Sequence, residues 1–76
     1  DVAALGSQLD MLALNEALAQ LESRDERSAQ LVKLRYFVGM TVEEAAASLG
    51  ISHSTARADW TYAKTWLHRA LRDSSD

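Results

Sequence analysis

The sequence predicts an all-α fold of four helices, and three observations support this prediction. The chain of 76 residues contains no proline and is rich in alanine and leucine, which favour helices. It has no runs of alternating β-branched residues. Apolar residues recur at helical spacing over approximately residues 8–22, 24–38, 42–49 and 53–72. We therefore expect one helical domain over residues 8–72, with flexible ends at residues 1–7 and 73–76.

The first two predicted helices are amphipathic. The apolar residues that define the first helix, at intervals of three or four, are Met11, Leu14, Leu18 and Leu21. In the second helix, Ser23 and Glu26 have the spacing of a capping box with Ser23 as N-cap, and Gly39 ends the helix. Its inner apolar residues are Leu31, Leu34 and Val38. We expect Lys33 and Arg35 on a solvated face of this helix.

The third predicted helix is short and is followed by a tight turn. Thr41 and Glu44 form a capping box at its start, because each side chain reaches the backbone amide of the other residue. The apolar residues of this helix are Val42, Ala45, Ala46 and Leu49. Small side chains of this kind allow a second helix to approach closely and to cross steeply. Gly50 ends the helix, since glycine adopts the left-handed conformation without steric cost.

The fourth predicted helix follows Ser52, its expected N-cap, and has one buried and one exposed face. The buried face comprises Ala56, Trp60, Ala63, Leu67 and either Ala70 or Leu71. The other faces begin with His53, Ser54, Thr55, Arg57, Ala58 and Asp59. Together with the third helix, this pattern is typical of a helix-turn-helix, whose second helix presents its first turns to the major groove of DNA. The alternative on this pattern alone is a helical hairpin whose polar face meets only water.

Charge is distributed unevenly along the chain, whose net charge is −3. Residues 1–50 contain four basic and eight acidic groups, whereas residues 51–72 contain four basic groups against one acidic group. The second part therefore carries a charge of +3, and its basic groups lie on the predicted DNA-reading helix. Because so few phosphates can be neutralised, we expect a Kd on the order of 10⁻⁴ to 10⁻⁶ M away from a preferred site.

The composition argues against several other kinds of protein. Without cysteine there is no disulfide or thiolate metal site, and His53 and His68 are too far apart for a zinc site. We expect no metal, no cofactor and no enzymatic activity, since no nucleophile is paired with a base. No apolar run is long enough to cross a membrane, so we expect a cytoplasmic protein. Because the sequence begins at Asp1 rather than Met, we expect it to be part of a longer protein.

Residues 31–71 resemble region 4, the C-terminal DNA-binding region of bacterial sigma-70 family factors, in the extracytoplasmic-function group. The matching stretch is LRYFVGMTVEEAAASLGISHSTARADWTYAKTWLHRAL. Its parts are the arginine and aromatic pair before Gly39, the hydroxyl and acidic start at Thr41, and the turn LGIS. No single part is specific, but their order and spacing together are fairly specific.

This resemblance implies a monomeric domain that reads the −35 promoter element in double-stranded DNA. It also implies docking on the β flap of RNA polymerase core through another surface, and it allows for an anti-sigma factor as a regulatory partner. The residues that match the start of the family's recognition helix are Ser52, His53, Ser54, Thr55 and Arg57. Arg57 is the leading candidate for a base or phosphate contact, because a guanidinium group binds guanine O6 and N7 in a bidentate manner. Ala58 lies beside it, and Lys64 is expected to meet the DNA backbone.

Three acidic or aromatic positions are harder to assign. Asp59 stands where the family commonly has a basic residue, and we expect it to pair with a neighbour such as Lys64 rather than to bind cytosine N4. Tyr62 and Trp66 either pack against the first helix or form an exposed aromatic patch for a protein partner. Two other functions remain open: the helix-turn-helix effector domain of a response regulator, and a helical protein-interaction module that does not bind DNA.

Overall fold

The computed structural model describes residues 8–74, which form four helices with no strand among them. The helices are α1 (Gln8–Arg24), α2 (Glu26–Lys33), α3 (Val42–Leu49) and α4 (His53–Ser74). A π turn, Leu34–Val38, continues directly from α2. The predicted all-α class with four helices is confirmed. Helix α4 reaches Ser74, two residues beyond its predicted end at residue 72, and the predicted flexible ends at residues 1–7 and 75–76 lie outside the described residues.

Helix α4 contributes to both of the apolar clusters that form the core. The larger cluster joins α1, α2 and α4 through Leu14, Ala17, Leu18, Leu21, Ala29, Val32, Ala63 and Leu67. The smaller cluster joins α2, α3 and α4 through Leu31, Ala45, Ala46 and Ala56. Each fully buried leucine contributes about 1.5–3 kcal/mol, whereas the alanines mainly allow the helices to approach closely. Trp60 packs against both clusters and so connects them.

The N-cap of α2 is Asp25, and the predicted N-cap Ser23 is wrong. The Asp25 carboxylate accepts hydrogen bonds from the Ser28 amide at 3.2 Å and from the Ser28 hydroxyl at 2.9 Å. The Ser23 hydroxyl instead donates back to the carbonyl groups of Ala19 and Gln20 within α1. A charged carboxylate is the stronger acceptor, so the helix boundary moves two residues along the chain.

The π turn changes which side chains of the second helical segment are buried. Backbone hydrogen bonds in a π turn join residues five positions apart, so later side chains rotate away from their α-helical positions. Val38, predicted on the inner face, is therefore 63% exposed, while Leu34 remains partly buried. Gly39 ends the segment with a φ of +88°, as predicted.

The start and end of α3 are those that the sequence predicts. The Thr41 hydroxyl accepts a hydrogen bond from the Glu44 amide at 3.1 Å, and the Glu44 carboxylate accepts one from the Thr41 amide at 2.9 Å. At the other end Gly50 has a φ of +70°. The Ile51 amide donates to the Ala46 carbonyl at 3.0 Å, which satisfies a carbonyl group of the last helical turn. The tight turn between α3 and α4 follows from this glycine.

Candidate nucleic-acid interface

Ser52 caps α4 and positions its first turn. The Ser52 hydroxyl accepts a hydrogen bond from the Thr55 amide at 3.1 Å and donates one to the Thr55 hydroxyl at 2.9 Å. The Ala56 amide donates to the Ser52 carbonyl at 2.9 Å, so the helix is formed from its first residue. The positive end of the α4 dipole therefore lies at the exposed residues His53 and Ser54. A helix amino end of this kind favours a phosphate group.

Most of the predicted DNA-contacting side chains lie together on an exposed surface of α4. The exposed members of the set are Ser52, His53, Ser54, Arg57, Ala58 and Lys64. Thr55 is the exception, because it is half-buried and its hydroxyl is bonded to Ser52. The opposite side of the helix is buried at Ala56 and Ala63. The structure thus leaves all of the predicted residues except Thr55 accessible, while their contacts with DNA stay a prediction.

Arg57 projects from this surface and has one weak charged neighbour. Its Nη1 atom lies 3.9 Å from Glu43 Oε2, and both side chains are more than half exposed. Exposed ion pairs of this length contribute little stability. Glu43 can therefore direct the arginine without preventing its guanidinium group from binding another anion.

Asp59 faces away from the exposed surface and binds Arg27 of α2. Arg27 Nε lies 2.6 Å from Asp59 Oδ2, and Arg27 Nη2 lies 3.2 Å from Asp59 Oδ1. This bidentate pair, through its hydrogen bonds and its charge attraction, raises the pKa of Arg27 above its ordinary value. Pairing of Asp59 within the chain was correctly predicted, but the predicted partner Lys64 is wrong. Residues so far apart in sequence have no spacing pattern that indicates their contact.

The ring of Trp60 attracts two basic side chains. The guanidinium carbon of Arg35 lies 4.5 Å from the ring centroid, and Lys64 Nζ lies 5.7 Å from it. Arg35 also donates a hydrogen bond to the Met40 carbonyl at 3.1 Å. Its predicted place on a solvated face is therefore wrong, because the electron-rich face of an indole ring attracts cations. The other basic residue of this segment, Lys33, forms an ion pair with Glu22, with its Nζ atom 3.1 Å from Glu22 Oε1.

The two remaining aromatic residues of α4 have different environments. Trp66 is partly buried and packs against the larger apolar cluster. Tyr62 is 44% exposed. Of the two alternatives left open by the sequence, packing applies to Trp66 and exposure applies to Tyr62.

The structure also bears on metal and membrane binding. Within residues 8–74, no three His, Asp or Glu side chains come close enough together to hold a metal ion. In the same part of the chain, no helix combines the length and apolar character needed to span a membrane.

Comparison with known protein families gives a match over most of the chain. The model of the family described as "ECF sigma factor" matches residues 2–73. No curated protein and no solved structure matches the chain significantly. The family match includes the whole of α1, α2 and α3 and all of α4 except its last residue.

Proposed function

The chain belongs to the ECF sigma factor family, which gives it a role in transcription initiation, and we propose that in this role α4 reads the −35 promoter element. The family implies RNA polymerase and promoter DNA as partners. In our proposal the first turns of α4 enter the major groove of double-stranded DNA, and α3 lies across the backbone.

The observation that carries this proposal is the exposed surface at the start of α4. The helix is capped by Ser52, its buried side is held by both apolar clusters, and its first turns project into solvent. A rigid helix that presents its amino end is the geometry used for reading base edges. The predominantly alanine interface between α3 and α4 supports this orientation.

Each proposed contact follows from the chemistry of its side chain. Arg57 binds guanine O6 and N7 or bridges two phosphates. Ser54 donates a hydrogen bond to a phosphate oxygen near the positive end of the helix dipole. Lys64, on the same side of α4 as Arg57 but two turns later, binds the DNA backbone.

We further propose that the β flap of RNA polymerase docks on a surface that includes Phe37 and Val38. These adjacent apolar side chains at the end of the π turn are 55% and 63% exposed. The Phe37 ring lies 6.2 Å from that of Tyr36, which is partly buried. Exposed apolar groups that adjoin the core in this way are typical of protein-binding surfaces.

The proposed function is tested by selecting bound duplexes from a random pool with the full-length protein and core polymerase. We expect one short motif to be enriched. Arg57→Ala should weaken binding to that motif by about tenfold and relax the preference at one base pair, because a bidentate arginine–guanine contact is lost.

The matched control is Arg24→Ala, which removes an exposed arginine at the end of α1. This variant should select the same motif with unchanged affinity. Identical selection and affinity for Arg57→Ala would remove Arg57 from the site. Absence of any enriched motif would favour a module that binds only protein.

A further inference from the structure

Two glutamates stand side by side in the first turn of α3, and the start of the helix accounts for only one of them. The Glu44 carboxylate accepts a hydrogen bond from the Thr41 amide at 2.9 Å and so completes the capping box. Glu43 has no part in that box, and its Oε2 atom lies beside Nη1 of Arg57 on α4. The helix dipole favours a carboxylate at this position but does not direct it toward the neighbouring helix.

The packing of α3 on α4 keeps these two charges near each other. Ala45 and Ala46 of α3 and Ala56 of α4 are fully buried in the smaller apolar cluster. Glu43 lies two residues before the first of these alanines, and Arg57 directly follows the last one. Because the small side chains hold the two backbones close together, the carboxylate is a constant part of the surroundings of the guanidinium group.

The contact between Glu43 and Arg57 is suited to guiding the arginine rather than to locking it. The separation of 3.9 Å between nitrogen and oxygen is too long for a hydrogen bond. Both side chains are more than half exposed, so solvent weakens their attraction and DNA can displace the carboxylate. Arg57 thus keeps its planar fork of N–H donors for another partner.

Guanine and phosphate respond differently to a carboxylate in this position. A guanine edge offers the neutral acceptors O6 and N7, whereas a phosphate carries a negative charge. Glu43 lies much closer to the guanidinium group than the Debye length of about 8 Å at physiological salt, so a phosphate bound to Arg57 is repelled by Glu43. The neutral acceptors of guanine are not repelled in this way.

We infer that Glu43 is a positioning residue that makes Arg57 favour guanine over phosphate. This role rests on the proposed function and adds to it a source of sequence specificity on α3, outside the helix proposed to read the bases. Glu43 weakens the binding of duplexes that lack the motif, where Arg57 has only phosphates to bind, and it leaves binding of the motif almost unchanged. Because specificity is a ratio of affinities, a penalty on the wrong partner raises it.

The test compares Glu43→Gln with the unmodified chain by fluorescence anisotropy on labelled duplexes. The duplexes carry the selected motif, a scrambled motif, or the motif with each other base pair at the position that Arg57→Ala relaxes. Glutamine keeps the size of the side chain and removes its charge. Binding of the scrambled and substituted duplexes should strengthen about threefold, while binding of the motif stays within about 1.5-fold. The preference for the motif should therefore fall by about two- to fourfold.

Two controls separate this role from a general effect of charge. Glu26→Gln removes an exposed glutamate from the first turn of α2, and it should change no affinity by more than about 1.5-fold. In a chain that carries Arg57→Ala, Glu43→Gln should leave the base-pair preference unchanged, because no arginine remains to be positioned.

Several outcomes would overturn the inference. An equal gain of affinity on every duplex would mean that Glu43 only repels the DNA backbone, and an equal loss would mean that it only stabilises α3. If Arg57→Ala removes the preference and Glu43→Gln does not lower it, Glu43 has no positioning role, although the proposed function stands. If Arg57→Ala itself leaves the preference unchanged, the proposed contact of Arg57 with a base fails and the role of Glu43 fails with it.

Discussion

Asp59 lies on the same helix as the predicted DNA-contacting residues, but its negative charge is balanced inside the domain by Arg27. Its side chain is 11% exposed and accepts hydrogen bonds from two nitrogens of the Arg27 guanidinium group, Nε and Nη2. Asp59 therefore presents little negative charge to the proposed DNA surface and instead connects α4 to α2. Since the pKa of Arg27 is raised, its guanidinium group contributes stability that is present at neutral pH and is lost as the pH rises through the raised value.

Because the phenol group of Tyr36 is partly buried, we expect the free energy of unfolding to depend on pH in the alkaline range. Burial raises the pKa of Tyr36 above its ordinary value of about 10, because the phenolate is poorly solvated there. The associated stability is present below about pH 10 and is lost as the pH rises through the folded-state pKa. Chemical denaturation from pH 8 upward should therefore show a smaller alkaline loss of unfolding free energy for Tyr36→Phe than for the unmodified chain.

Tyr62→Phe is the matched control, since Tyr62 is 44% exposed. Its alkaline profile should follow that of the unmodified chain. If both variants resist alkaline unfolding equally, burial of Tyr36 is not the cause.

At the scale of whole elements, capping interactions explain where α2, α3 and α4 begin and where α3 ends. Thr41 and Ser52 cap their helices through hydroxyl groups, and both were predicted from spacing alone. The α1–α2 junction differed from the prediction because two overlapping stretches, SRDE and DERS, each begin with a side chain that can cap a helix. Asp25 is used because its carboxylate binds the amide and the buried hydroxyl of Ser28 together.

This assignment predicts different stabilities for two alanine variants. Asp25→Ala should lower the free energy of unfolding by about 1–2 kcal/mol, since it removes the N-cap and the acceptor of a buried hydroxyl. Ser23→Ala should change it by less than about 0.5 kcal/mol, because alanine is favourable within a helix. Urea denaturation followed by circular dichroism measures both values. A larger loss of unfolding free energy for Ser23→Ala than for Asp25→Ala would show that Ser23 is the N-cap.

On the scale of the whole molecule, the acidic chain separates its charges by location. The exposed start of α4 carries Arg57 at its proposed DNA surface. Four other basic residues, Arg35, Lys64, Arg69 and Arg72, line an open groove between α1, the π turn and α4. Both regions are held in place by the same two apolar clusters, because α4 runs through both.

The small number of cations near the DNA surface predicts a modest salt dependence. If Arg57, Lys64 and the amino end of α4 each neutralise about one phosphate, the logarithm of the binding constant should fall with the logarithm of salt concentration with a slope of about −3. Arg57→Ala should reduce the steepness by about 1, and Arg24→Ala should not change it. Anisotropy titrations on a fixed duplex at several salt concentrations provide the slopes. A slope near zero would contradict a phosphate-binding role for this surface.

The sequence by itself determined the helices, the capping box at Thr41, the glycine ends at Gly39 and Gly50, and the exposed position of most candidate DNA contacts. These features depend on hydrogen bonds and side-chain periodicity within a few residues, so their spacing is visible in the chain. Only the tertiary structure decided the remaining features, among them the Arg27–Asp59 pair, the stacking of Arg35 on Trp60 and the groove. These contacts join residues from different helices, and whether they form depends on how the helices pack, which local spacing does not encode.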